Sequence, residues 1–159
     1  MRQAKQKYLL AGLIGLAAAL VSVPASAQES CGTCHPETRV SFEESIHIQE
    51  GVTCSDCHGG NPSALEVDAA HGGEFRSLAD RSQVPEMCAG CHADLERMRA
   101  YNLPVDQYAI YSTSHHGQAI ARGELRAATC IDCHGVHDIR RPRDPSSSAS
   151  SRNIPSTCG

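Results

Sequence analysis

The sequence predicts a mainly α chain with much irregular structure and no substantial sheet. Three observations lead there. Apolar positions that can be read at all recur at helical spacing in short segments, and no run alternates apolar with polar residues as a half-buried strand would. The 159 residues include no Trp, 2 Phe and 4 Tyr, so few large side chains can fill a core in a chain already short of buried area. There are also 9 Cys and 9 His. Cysteine cross-links, metal or a bulky cofactor must therefore occupy interior that Leu, Ile and Phe do not. An ordinary apolar-core globule is excluded.

Residues 1–27 read as a secretory signal peptide. Arg2, Lys5 and Lys7 precede the uncharged run Leu9 to Val23, and Ala25-Ser26-Ala27 follows as a small-x-small cleavage site. As a helix this run would span about 22 Å, short of the roughly 30 Å hydrocarbon core. An uncleaved anchor is the competing reading, and only that reading places the protein at a membrane. Cleavage after Ala27 leaves 11 Arg, no Lys and 18 acidic residues, a net charge of −7 against −4 for the whole chain. That balance excludes a basic nucleic-acid surface and is most simply a device for solubility. Export places the cysteines in a periplasmic or extracellular, oxidising compartment, where a disulfide framework competes.

Short helices follow in order. Pro36 at a first-turn position, Val40 and His47 seven apart, and Gly51 just beyond predict a helix presenting His47 on its apolar face. The stretch 59–73, with Gly-Gly-Asn-Pro and His-Gly-Gly, reads as loop. Asp94 to Tyr101 reads as a helix with Leu95 and Met98 at i, i+3, closed by Pro104. Val105, Tyr108 and Tyr111 continue at helical spacing towards His116, with Gly117 marking an end. Residues 142–151 are rich in Pro and Ser and read as an exposed linker.

Eight of the nine cysteines fall in four copies of one pentapeptide. They are Cys31-Gly-Thr-Cys34-His35, Cys54-Ser-Asp-Cys57-His58, Cys88-Ala-Gly-Cys91-His92 and Cys130-Ile-Asp-Cys133-His134. C-x-x-C-H is the attachment signature of c-type haem (heme c). Two thiols three residues apart lie on one side of a tight turn, where both can add to the vinyl groups along one haem edge. The adjacent His then projects its imidazole towards the iron as proximal ligand. A thioredoxin-like site leaves the histidine unexplained, and paired C-x-x-C zinc sites would not demand a His after every second Cys. Shuffling this composition yields about 0.03 such pentapeptides per chain, so four copies are decisive where one would be weak.

Five histidines remain: His47, His71, His115, His116 and His137. Four irons each need a sixth ligand to be low-spin electron carriers, so supply meets demand. Any one of the five taken alone would read as an exposed polar residue. Met87 adjoins Cys88 too closely to reach across that haem, and Met98 reads as a packing residue in its helix.

The chain is internally duplicated. One unit, about 31–73, runs from Cys31 through Phe42-Glu-Glu-Ser45-Ile-His47 and Cys54-Ser-Asp56-Cys57-His58-Gly59 to His71. The other, about 88–138, runs from Cys88 through Tyr111-Ser-Thr-Ser114-His-His116 and Cys130-Ile-Asp132-Cys133-His134-Gly135 to His137. The recurring aromatic-x-x-Ser-x-His block selects His116 over His115 as counterpart of His47. His71 and His137 lie 13 and 3 residues past their motif histidines, the loosest correspondence. Domain boundaries follow: signal peptide 1–27, a haem domain over 28–141, and a linker over 142–159. Cys158-Gly159 repeats the opening of Cys31-Gly32, and Ile-Pro-Ser-Thr before it resembles Val-Pro-Glu-Met before Cys88. The expectation is a fifth C-G-x-C-H motif, hence a fifth haem, begun here and continued past Gly159; a free or intermolecularly paired thiol is the alternative.

Tyr111-x-x-Ser-x-His116-Gly117, Cys130-x-Asp-Cys133-His134-Gly135-x-His137-Asp138-Ile139 and Ile-Pro-x-Thr-Cys158-Gly159 resemble the multihaem cytochrome c family of periplasmic and outer-surface bacterial electron carriers. The resemblance covers essentially the whole mature chain. It implies short helices wrapped around closely packed haems and bis-histidine irons. It further implies electron transfer among respiratory partners, such as quinol-linked or periplasmic donors and terminal reductases or outer-surface cytochromes. By the same resemblance His116 and His137 would be distal ligands, and the repeat extends this to His47. Ile48 instead of Gly after His47, and the distance of His71 from its motif, depart from the pattern.

Each haem is a large apolar disc, so four supply the core the side chains lack. Two imidazoles per iron favour outer-sphere electron transfer over catalysis, so the expectation is a carrier and not an enzyme. A reductase or oxidase of small nitrogen or sulfur compounds would need an open iron, and a subunit of an extracellular haem filament is a third reading. Arg140, Arg141 and Arg143 are candidates to pair with haem propionates, against the simpler reading as a solvated basic run.

Overall fold

Backbone hydrogen bonds among residues 29–158, which the computed structural model describes, close short helices and, among those residues, no strand. Residues 1–28, on which the expected signal peptide falls, and Gly159 lie outside the described residues. In order the helices are α1 (Cys31–Cys34), α2 (Pro36–Glu43), α3 (Ile46–Gln49), α4 (Cys54–His58), α5 (Val67–Ala70), α6 (Val84–His92), α7 (Leu95–Arg99), α8 (Gln107–Thr113), α9 (His115–Ala121), α10 (Cys130–His134) and α11 (Ile154–Cys158). A 3-10 turn at Arg81–Gln83 leads into α6. The expected mainly α, sheet-free fold is what forms. No helix among the described residues is long and apolar enough to cross a membrane.

Capping decides where these helices begin. Thr53 and Asp56 form a capping box on α4, and Thr129 and Asp132 form the same box on α10. The Asp carboxylates accept the N-cap amides at 2.8 and 2.7 Å, satisfying donors that a helix start leaves orphaned. Both helices end on a glycine of positive φ, Gly59 at 68° and Gly135 at 85°. The repeated Thr-Cys-x-Asp-Cys-His-Gly spelling is therefore a complete one-turn helix with both ends specified.

The aromatic-x-x-Ser-x-His block is a second local device, and here the structure corrects two expectations. A single helix over 36–50 does not form: Ser45 adopts extended backbone (φ −75°, ψ 146°) and caps α3, its Oγ accepting from the His47 amide at 3.1 Å. Val40 is 64 % exposed, so it shares no apolar face with His47. In the second copy Ser114 does the same for α9, accepting from the Gly117 amide at 3.1 Å. Gly117 therefore sits inside α9 instead of ending α8, and a Cβ there would overlap the Tyr111 carbonyl.

The buried apolar residues are few: Phe42, Val84, Met98, Ala119 and Ile120. Met98 packs as expected on α7, which Asp94 caps, while its partner Leu95 is exposed. Helix α6 is the hub and packs against α7, α8 and α10. The 59–73 loop contains the single turn α5. Within the stretch 142–151, read as an exposed linker, Pro142, Arg143, Pro145, Ser146 and Ser151 are exposed, but the Ser147–Ser150 turn is not. Ser147 and Ser150 are buried, Ser148 Oγ donates to the Cys133 carbonyl at 2.6 Å, and Thr157 donates to the Ser148 carbonyl at 2.9 Å. The tail is thereby held against the fourth motif.

Candidate functional site

Each C-x-x-C-H pentapeptide lies on one helical turn: α1 running into His35, the whole of α4, the last turn of α6, and the whole of α10. That turn places the two thiols of a motif on one side, as sulfur attachment to a single haem edge requires. Thiols of successive motifs are neighbours. The Sγ atoms of Cys31 and Cys54 lie within 4.8 Å of each other and of a Glu29 carboxylate oxygen. Cys57 lies near Cys91, Cys88 near Cys130, and Cys133 near the exposed Cys158 on α11. Burial and the Glu29 carboxylate push the Cys54 thiol up to about 12. The attachment points thus form a series in motif order, 1 to 4.

The imidazoles are placed in facing pairs. His35 of the first motif faces His71, with ring centroids 6.2 Å apart and planes at 85°. His58 of the second faces His137 at 6.2 Å and 37°. His92 of the third faces His47 at 6.0 Å and 57°. An imidazole nitrogen binds a metal at about 2 Å and sits about 1.1 Å from its ring centroid, so two rings across one metal have centroids about 6 Å apart. All three pairs match that spacing. The residues present fit a six-coordinate haem iron with a proximal and a distal histidine.

Two hydrogen bonds fix which nitrogen is free. His58 Nδ1 lies 3.0 Å from the Arg76 carbonyl, and His71 Nδ1 lies 2.9 Å from the Val67 carbonyl. A carbonyl can only accept, so Nδ1 carries the proton in both rings and Nε2 presents its lone pair. Burial pushes the pKa of His47, His92, His134 and His137 down; the neighbouring His92 adds to this at His47, His134 at His92, and His58 at His137. Depressed values keep these rings neutral, the protonation state a ligand needs.

The remaining candidates are not brought into such pairs among the described residues. His134 lies near His92 and is exposed. His115 and His116 are both exposed at the start of α9. Met98 is committed to packing, and Met87 stays beside Cys88 on α6. Arg140 pairs with Glu44, and Arg141 Nη2 lies 2.8 Å from Glu50 Oε1. These two arginines are engaged by the residues that follow α2 and α3 and are not a free basic run. Instead they join 140–141 to the segment carrying His47.

Four supporting residues went unread in the sequence. Thr53 and Thr129 had a legible signal, the T-x-x-D capping-box spelling. Phe75 stacks on His58 (centroids 6.4 Å, 27°) and meets His71 edge-on (4.5 Å, 78°). Glu29 accepts from the Cys54 and Ser55 amides at 2.8 and 3.1 Å and from Ser55 Oγ at 2.6 Å. Neither Phe75 nor Glu29 stands in a recurring pattern.

Residues 47–97 match the family model described as the doubled CXXCH motif, a pattern found in multihaem cytochromes c. The matched stretch starts on His47, contains the second and third motifs, and ends past His92. Its register is thus staggered against the internal repeat. No curated protein and no solved structure matches the chain. The CXXCH motifs that the chain carries imply covalently bound haem c.

Proposed function

We propose that this chain is an exported multihaem c-type cytochrome. In this reading it passes electrons between respiratory redox partners through at least four covalently bound haems, three of them with paired-histidine irons. The observation that carries it is the spacing of the three imidazole pairs, 6.0–6.2 Å between ring centroids. Haem iron, when bound, supplies reversible one-electron chemistry. The chain's part is to hold and tune. Cysteine pairs would tether each group to a rigid turn, and at the first three motifs the facing imidazoles would fill both axial positions and leave no place there for a substrate. The thiol series from Cys31–Cys54 to Cys88–Cys130 supports a continuous path in motif order. The sparse apolar core supports the discs as interior.

Two measurements on the protein matured in an exporting host test this. Intact mass gives haem count and leader cleavage, with at least four haems and loss of residues 1–27 expected. EPR of the ferric protein should be dominated by low-spin signals; high-spin signals from most of the haems would overturn the paired-histidine reading. Failure to gain haem mass would overturn the cytochrome reading altogether.

A further inference from the structure

We propose that the two repeats exchange axial ligands. His47 of the first repeat binds the iron whose proximal ligand is His92 in the second. His137 of the second binds the iron whose proximal ligand is His58 in the first. His71 serves His35 within its own repeat. This rests on the paired-histidine reading above and adds which histidine belongs to which iron.

Chain proximity alone favours a different map. His47 lies 12 residues after His35 and 11 before His58, but 45 before His92. Likewise His137 lies three residues after His134. The fold overrides this proximity. His47 faces His92 at 6.0 Å and His137 faces His58 at 6.2 Å, while His71 takes the position opposite His35.

One seam between the repeats produces both exchanges. The Ile46 amide and the Ser45 hydroxyl both donate to the Ile139 carbonyl, at 2.8 and 3.2 Å, and Ser45 is fully buried there. Arg140–Glu44 and Arg141–Glu50 close the same contact from outside. His47 follows Ile46 by one residue and His137 precedes Ile139 by two. The contact that ties the strands of chain together therefore carries one donated ligand on each side of it. Both repeats are then needed to complete the second and third irons.

The test pairs ligand loss with haem loss in the matured full chain, read by EPR. His47→Ala should convert one haem equivalent from low to high spin. Adding Cys88→Ala and Cys91→Ala, which remove the third attachment site, should abolish that new signal. Adding Cys54→Ala and Cys57→Ala should leave it. His137→Ala should behave in the opposite sense, its signal vanishing with the second site and surviving loss of the third. A His47→Ala signal that persists without the third site overturns the exchange, while a wild-type spectrum already high-spin overturns the underlying ligand reading instead. If a combined variant fails to mature, paramagnetic NMR of the wild-type protein decides. His47 ring protons should show NOEs to the same haem methyl groups as His92, and NOEs to the haem of His35 or His58 overturn the proposal.

Discussion

His58 and Arg76 are bonded to each other twice: the His58 ring Nδ1 donates to the Arg76 carbonyl at 3.0 Å, and the Arg76 amide donates to the His58 carbonyl at 2.7 Å. A ring so held can turn neither about its own axis nor along the chain, and its Nε2 is aimed once. Second contacts of this kind orient metal-binding histidines and raise their basicity. The segment that supplies it also delivers Phe75, one residue earlier, between His58 and His71.

Phe75 therefore touches the second proximal histidine and the histidine facing the first. Phe75→Ala should destabilise the protein by about 3 kcal/mol, within the range for losing a large aromatic and its ring contacts. It should also admit water beside both rings. Greater exposure favours the charged ferric form, so two of the haem potentials should fall and the others stay. Spectroelectrochemical titration reads this directly; a uniform shift of all potentials, or none, would contradict the placement.

The capping boxes give a graded pair. Asp56→Ala removes one box from α4 and should cost about 1 kcal/mol. Asp132→Ala removes the equivalent box from α10 and also the partner of Arg81, whose Nη2 lies 2.7 Å from Asp132 Oδ2 and whose buried Nε has no hydrogen-bond partner. It should cost about 2 kcal/mol, because a half-buried guanidinium then loses its counter-charge. Denaturant unfolding of the two variants checks the order. Equal losses would mean that Arg81 contributes nothing through Asp132.

The C-x-x-C-H turns were legible in the sequence because chemistry fixes their spacing within five residues, and the short helices because Pro36, Asp94 and Pro104 punctuate them locally. Of the five spare histidines, His47, His71 and His137 face a motif histidine while His115 and His116 do not, and nothing in the sequence marked the pairs. Which rings His47 and His137 meet depends on the contact of Ser45 and Ile46 with Ile139, more than ninety residues away, and no local pattern encodes it. The same block was misread in detail. Val40 and His47 at a seven-residue interval satisfy a helical period, yet Ser45 prefers to cap. The Ser-rich tail reads as linker by composition, but Ser148 Oγ donates to the Cys133 carbonyl and Thr157 Oγ1 to the Ser148 carbonyl.

Gly117 and Gly123 separate crowding from backbone strain. Gly117 has ordinary helical backbone, but a Cβ would overlap the Tyr111 carbonyl at the α8–α9 junction. Gly117→Ala should therefore cost about 3 kcal/mol, since a rigid backbone group must move. Gly123 follows α9 with φ of 84° and open space around it. Gly123→Ala meets no atom and should cost about 1 kcal/mol, the left-handed backbone term alone. Thermal unfolding ranks them, and a Gly117→Ala protein as stable as Gly123→Ala would show that the two helices separate freely.

Glu29 sets a pH dependence of known sign. Burial alone would raise its carboxyl pKa, but hydrogen bonds from the Ser55 side chain and the Cys54 and Ser55 amides outweigh it and hold the value below 4.5. A carboxylate whose pKa is depressed by folding stabilises the fold above its unfolded value and loses that contribution as pH falls through the folded one. Wild-type stability should therefore decline as pH drops below about 4.5. Glu29→Gln keeps much of the shape but cannot be charged, so it should be less stable at neutral pH and should lack this component of the decline. Unfolding free energies measured from neutral to acid pH test it. Parallel curves for the two proteins would mean that the α4 start is satisfied without the Glu29 charge.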